Sequence, residues 1–307
     1  WQVNNMFDLI HTQNETATAL DFQTVVDNCP AVLTGSKSPD TSDRYGFVST
    51  MGAMQVLGDY GFRPVKAIQR PSRKSELQPF AAHMISFCHD YDLAGATDNR
   101  PELIIYNSHD GKSALKLFAG IYRFICSNGI IAGNGFDASM RHSNKTANGF
   151  ENLLQSQAKA LPGLMERIDS LQNTQLEQEQ ALDFAYNAVK LRWEFESDVL
   201  LKRIHSLTDK PLRGSYATEQ TVQSMLNPLR RGDYGLDAWT VFNVAQEKLT
   251  RGGSRVISHT ARNADYGGGT VRKARGISSL PEIVRINRKL WDLAAPQSDQ
   301  TELMAAE

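Results

Sequence analysis

Apolar and polar positions alternate between two periods along this chain. Tyr45–Ser49 reads as a short strand, and Thr50 suits a helix cap. From Met51 to Asp59 the apolar residues Met51, Met54, Val56 and Leu57 fall at helical spacing, and Gly61 ends that helix. Phe62–Gln69 is expected to be extended, because Pro64 disfavours a helical Arg63. The polar, basic stretch Arg70–Leu77 reads as a turn. Phe80–His89 then reads as a second strand and Glu102–Asn107 as a third. Past NSHDG, the spacing of Leu115, Phe118, Ala119, Tyr122 and Ile125 predicts a helix beginning at Lys112 and stopping at CSNG.

The second half has another character. Leu161, Leu164, Ile168 and Leu171 form a helical stripe that Pro162 could break. Thr174 with Glu177 reads as a capping box that opens a helix through Leu182, Ala185, Val189 and Trp193. Ala238–Leu249 aligns Trp239, Phe242 and Ala245 on one helical face, and Pro281 suits the first turn of a last helix. The expected fold is α+β: an antiparallel three-stranded meander packed with helices, followed by a helical hairpin and a basic C-terminal region. The expected divisions are 1–149 for the α+β core, 150–210 for the helical hairpin and 211–307 for the C-terminal helical region.

Composition narrows the class. The chain has 307 residues, 41% apolar and 22% charged, as in a soluble globular protein. No run of eighteen apolar residues occurs, so no membrane helix is expected. The first residue is Trp1, so the natural start is expected upstream, and a leader could have preceded it. Three cysteines without a CxxC pair argue against a disulfide framework and for a reducing, cytoplasmic setting. Net charge is only −1, yet ten basic residues and two acidic ones lie between Lys248 and Lys289. A local excess of eight positive charges is the footprint of a polyanion-binding segment. From Leu290 onward there are four acids and no base.

Several groupings invite chemistry. Asn107, Ser108, His109, Asp110 and Gly111 cannot form a triad, since adjacent side chains do not converge. Asp–Gly is a tight-turn pair, and Asn107 and Asp110 can bond nearby amides, so a turn-and-cap role leads over a ligand contact and over catalysis. Cys126, Asn128 and Gly129 form the matching stop signal, with Cys126 read as a core thiol. Arg123 is read equally as an ion-pair partner and as a phosphate contact. His83, His89, Asp90, Asp92 and Asp110 could assemble a nuclease metal site, but a lone His among apolar residues is usually a satisfied core residue. The DNA-contact candidates are Arg251, Arg255, Arg262, Tyr266, Arg272, Lys273 and Arg275, in a stretch with six glycines. Arg70, Arg73 and Lys74 would form a second basic edge. No catalytic residue, cofactor or bound metal is expected.

PELIIYNSHDG followed by LFAGIYRFICSNG resembles the signature of a phage, prophage and plasmid family catalogued as domain of unknown function 932. RYGFVST, the strand AIQR, the strand holding His83 and the late helix AWTVFNVAQEKLT fit the same family, over roughly Tyr45 to Leu249. That resemblance implies a mobile-element role in DNA maintenance, recombination or defence evasion. In element order alone, a helix, a three-stranded meander and a following helix are similar to the core of single-strand annealing recombinases. Those proteins form rings or filaments and hold DNA in a basic groove.

The expectation is a non-catalytic DNA-binding protein, with single-stranded DNA and further copies of itself as partners, in annealing or protection. A metal-dependent nuclease and an interaction protein countering host defence are the alternatives.

Overall fold

The computed structural model describes residues 18–72, 74–93, 99–123, 128–131, 137–140, 150–206, 213–230, 233–260 and 269–294. The fold is α+β with antiparallel sheets. The chain divides into two compact units, Trp1–Glu166 and Arg167–Glu307.

In the first unit α1 (Phe22–Asn28) opens at Asp21, whose carboxylate accepts from the Thr24 amide at 2.7 Å. Tyr45–Ser49, expected as a strand, is irregular chain that delivers Ser49 as the cap of α2 (Thr50–Asp59). Strands β1 (Phe62–Gln69) and β2 (His83–His89) follow, then a single turn α3 (Asp90–Leu93) and β3 (Asn99–Asn107). Pro64 lies on β1, at the sheet edge, where its missing N–H is tolerated. Pro101 lies on β3 where β4 pairs with it and β2 does not.

The segment after NSHDG is a strand, β4 (Leu115–Arg123), where the spacing had predicted a helix. It pairs with β3 over eight positions, from Asn99↔Arg123 to Tyr106↔Lys116. The reason lies in burial on both faces. Leu115, Leu117, Ala119 and Ile121 are buried on one face, and Phe118 is buried on the other. A strand covered on both sides loses its apolar–polar alternation, so a three–four spacing can arise by accident. The layout likeness to annealing recombinases needed a helix at this place and loses it. β5 (Asn128–Ile131) and β6 (Asp137–Met140) both pair with β4, giving the order β1-β2-β3-β4-β5 with β6 beside β4. α1 and α2 pack against β1, and the buried apolar residues of this unit include Val25, Val32, Leu57, Ile85, Leu103, Ile105 and Leu117.

Helix α4 (Phe150–Asn173) runs through Pro162 without ending, and the unit boundary falls inside it. In the second unit the cap of α5 (Gln178–Lys190) sits three residues later than the Thr174–Glu177 reading. Gln180 Oε1 accepts from the Glu177 amide at 2.8 Å, while Thr174 bonds back to the Ser170 carbonyl. α6 (Glu196–Ser206), β7 (Gly214–Tyr216), α7 (Glu219–Met225) and α8 (Ala238–Arg251) follow. The stretch expected as a basic Gly-rich loop contains two strands, β8 (Arg255–His259) and β9 (Thr270–Lys273), ahead of α9 (Leu280–Ala294). β7, β8 and β9 form a small antiparallel sheet in that order. The core of this unit is aromatic. Trp239 and Phe242 of α8 meet Trp291 of α9, with ring centroids 5.9 and 5.0 Å away.

Candidate functional site

NSHDG closes the β3–β4 connection and is, for the most part, inside the protein. Asn107, Ser108 and His109 are fully buried, as are Thr50 of α2 and His83 of β2. Gly111 takes φ +75°, the left-handed conformation that a tight turn needs and that glycine adopts freely. Asp110 Oδ1 accepts from the Ser108 hydroxyl at 2.9 Å and from the Lys112 amide at 3.0 Å. The turn role expected of Asp110–Gly111 is therefore what the structure displays, though the element it opens is a strand.

The buried side chains form an ordered chain of bonds. His83 Nδ1 lies 2.9 Å from the Ala81 carbonyl, which can only accept, so Nδ1 carries the proton. His83 Nε2 then accepts from the Thr50 hydroxyl at 2.8 Å. Asn107 Nδ2 donates to Thr50 Oγ1 at 3.0 Å and to the Val48 carbonyl at 3.2 Å. His109 Nε2 approaches the same hydroxyl at 3.4 Å. With the Thr50 proton already given to His83, this contact needs the proton on His109 Nε2. Burial pushes the pKa of His83 down to about 4, outweighing the Ala81 bond, so the imidazole is neutral. Phe47 and His83 flank the His109 ring at 4.9 and 5.2 Å. A cluster without solvent-exposed atoms is suited to holding α2 on the ends of β2 and β3.

Four of the five nuclease candidates, His83, His89, Asp90 and Asp110, have local partners of their own. Asp90 pairs with Arg63 at 3.0 Å, His89 Nδ1 accepts from the Tyr91 amide at 3.2 Å, and His83 and Asp110 bond as described. Among the described residues no three His, Cys, Asp or Glu side chains gather as a metal-holding group.

The basic candidates of the second unit are only partly brought together. β8 and β9 pair so that Arg255 stands directly opposite Lys273 and Val256 opposite Arg272. Arg255, Arg272, Lys273 and Arg275 are all exposed. Among the described residues none of the four forms an ion pair. On the face shared by Arg255 and Lys273, Val271 is 59% exposed beside half-buried Ile257. The sheet thus presents cations next to bare apolar side chains.

The base of this ribbon is firmly held. Gly252 has φ +85°, and a Cβ there would lie 2.5 Å from the Ala274 carbonyl oxygen, so only glycine fits. Across the strand ends the Gly253 amide bonds to the Ala274 carbonyl and the Ala274 amide to the Ser254 carbonyl, and the Ile277 amide bonds to the Thr250 carbonyl at 2.8 Å. Arg192 donates to the carbonyls of both Leu249 and Arg275. Thr221 Oγ1 donates to the Arg255 carbonyl at 2.6 Å.

Arg251 has a different place. It bonds to Glu247 at 2.7 Å, and Arg230 bonds to the other Glu247 oxygen, also at 2.7 Å. Burial would raise the pKa of Glu247, but the Arg230 hydrogen bond and the two guanidinium charges hold it below the usual carboxylate value. Arg251 is thus engaged within the fold. In the first unit Arg70 and Lys74 are exposed beside a short 3-10 turn. Arg73, Arg262, Tyr266 and Cys126 lie outside the described residues, as do the side chains of Arg123 and Asn128. The backbones of Arg123 and Asn128 pair across β4 and β5, and Gly129 pairs with Tyr122.

Sequence reasoning picked out Arg255, Arg272 and Lys273 but not their register, which depends on strands unseen in a glycine-rich stretch. It also missed Thr50 as the junction of His83, Asn107 and His109. Those partners lie 33, 57 and 59 positions away, and no local signal links them.

Two relatives in Escherichia coli (strain K12), the UPF0380 proteins YfjQ and YafZ, are each 28% identical to this chain over 272 residues. Each alignment covers 86% of this chain and 86% of the relative. No solved structure matches the chain significantly. The model of the family described as Domain of unknown function (DUF932) matches residues 40–291, a span that holds both the buried cluster and the basic ribbon, and the chain belongs to that family.

Proposed function

We propose that this protein binds single-stranded DNA along the β8–β9 ribbon. The observation that carries the reading is the pairing of Arg255 with Lys273, two exposed cations directly opposite each other with no acid paired to either among the described residues. Opposed like charges on neighbouring strands repel, and a polyanion turns that repulsion into attraction. Arg272 and Arg275 extend the positive surface. Val271 and Ile257, on the face of the opposed pair, offer apolar contact that unstacked bases can use and a duplex cannot. The anchored base, from Gly252 to Arg192, keeps the cations in register before DNA arrives, which lowers the ordering cost of binding.

The test is fluorescence anisotropy with a labelled single-stranded oligonucleotide and its duplex at low salt. The expected result is binding of the single strand with weaker binding of the duplex. No binding of either would overturn the reading, and equal affinities would overturn its strand preference.

A further inference from the structure

The face of the small sheet that carries Arg255 and Lys273 is built in rows. The first row is that opposed pair of exposed cations. Two residues on, about 7 Å along the strand, Ile257 stands opposite Val271 on one side and Tyr216 on the other. Tyr216, Ile257 and Val271 therefore line up across all three strands, in a row about 10 Å wide at the usual strand spacing. In the next row His259 pairs with Gly214. Its imidazole is buried, and Nε2 lies 2.6 Å from Glu196 Oε1.

Tyr216 is the aromatic member of the middle row. It is half-buried and held at two points. Its hydroxyl donates to the Arg213 carbonyl at 2.9 Å, and its ring meets His259 edge-on, with centroids 5.9 Å apart at 64°. Arg213 itself is exposed and forms no ion pair among the described residues. A ring fixed in this way loses little freedom when a flat partner lies against it.

We infer that Tyr216 is a base-stacking residue of this sheet, taking an unpaired nucleobase onto the middle row while phosphates of the same strand lie on Arg255 and Lys273. The inference rests on the DNA-binding reading and assigns the bases a place within it. Charge sets the direction. The cation row draws the phosphates, and the Glu196 carboxylate beside His259 repels them, so the bases turn into the row between. Bases of a duplex are already stacked on one another, whereas every unpaired base offers a π-face to an aromatic ring and apolar contact to Ile257 and Val271.

The experiment separates stacking from phosphate binding. Tyr216→Leu should weaken binding of a mixed-sequence single strand about tenfold, with an unchanged salt slope because no phosphate contact is lost. Tyr216→Phe keeps the ring and should lose about twofold at most. An oligonucleotide of equal length with every base removed keeps the phosphates and lacks the stacking partner, so the wild type and Tyr216→Leu should bind it equally. A single strand substituted with iodouracil and irradiated on the wild-type chain should cross-link to Tyr216, as read by peptide mapping. Equal affinity of wild type and Tyr216→Leu for the ordinary strand, or an equal loss on both strands, would overturn the stacking role and leave phosphate binding by the ribbon standing. A cross-link found only on other residues would do the same. No binding of either strand at low salt would overturn the DNA reading and the stacking role together.

Discussion

Thr50 Oγ1 lies 2.8 Å from His83 Nε2, and neither side chain reaches solvent. The pair ties the first residue of α2 to the first residue of β2, and Asn107 joins them from the end of β3. The NSHDG motif is thus half of a bond network whose other half lies far away in sequence.

Protonating His83 would break its bond from Thr50. Its folded pKa of about 4 lies below the 6.5 of an exposed imidazole, so the unfolded chain takes up a proton between these values while the folded chain does not. Stability is therefore full above about pH 6.5 and declines as pH falls towards 4, by about 3 kcal/mol at one pKa unit per 1.36 kcal/mol. Urea midpoints measured from pH 7 to pH 4 should show this slope in the wild type and a flatter one in His83→Gln. Equal slopes would contradict it.

Asn107→Ala removes donors to Val48 and Thr50 and leaves a buried carbonyl without its bond. A loss of about 2 kcal/mol in chemical denaturation is expected. A change under about 0.5 kcal/mol would mean that the network does little to hold the turn.

Glu247→Gln leaves Arg230 and Arg251 facing a neutral amide in a partly buried place. Loss of about 2–3 kcal/mol is expected at pH 7. Because the Glu247 pKa is depressed, the wild type should lose this contribution as pH falls below about 4.5, whereas the variant should not. Thermal unfolding at pH 7 and pH 3.5 reads both effects, and a variant as stable as the wild type at pH 7 would refute the role.

Cys29 and Cys88 are fully buried, and burial pushes both thiols up to about 12. Maleimide at pH 7.5 should leave both unmodified in the native chain and label both in denaturant, as read by peptide mapping. Prompt native labelling of either would place it outside the core.

Much of the fold was legible where one pattern dominated. α2, β1, β2, α8 and α9 follow from helical spacing, from Pro64 and from Pro281 at the start of the last helix. β4 was not legible, because Leu115–Arg123 is apolar towards both faces of a covered sheet and satisfies two periods at once. The ribbon was hidden for the opposite reason. Arg255–His259 and Thr270–Lys273 are short, polar and separated by glycines, so composition spoke for a loop while pairing between the two stretches made strands. Candidate cations could be picked from charge density. Charge density could not tell Arg251, committed to Glu247, from Arg255, which has no ion-pair partner among the described residues.

Gly252 shows how much the ribbon depends on its base. Gly252→Ala would force a Cβ to within 2.5 Å of the Ala274 carbonyl in a left-handed backbone. Destabilisation by about 1–3 kcal/mol is expected in urea unfolding. A neutral result would show that the strand ends are not held as described.

The salt dependence of single-strand binding tests the ribbon most directly. Affinity would be measured from 50 to 300 mM salt for the wild type and for Arg255→Ala, Arg272→Ala, Lys273→Ala in one chain. Each lost phosphate contact flattens the logarithmic slope by about 0.7, so the variant should bind more weakly with a slope shallower by about 2. Identical slopes and affinities would contradict DNA binding by the opposed cations of β8 and β9.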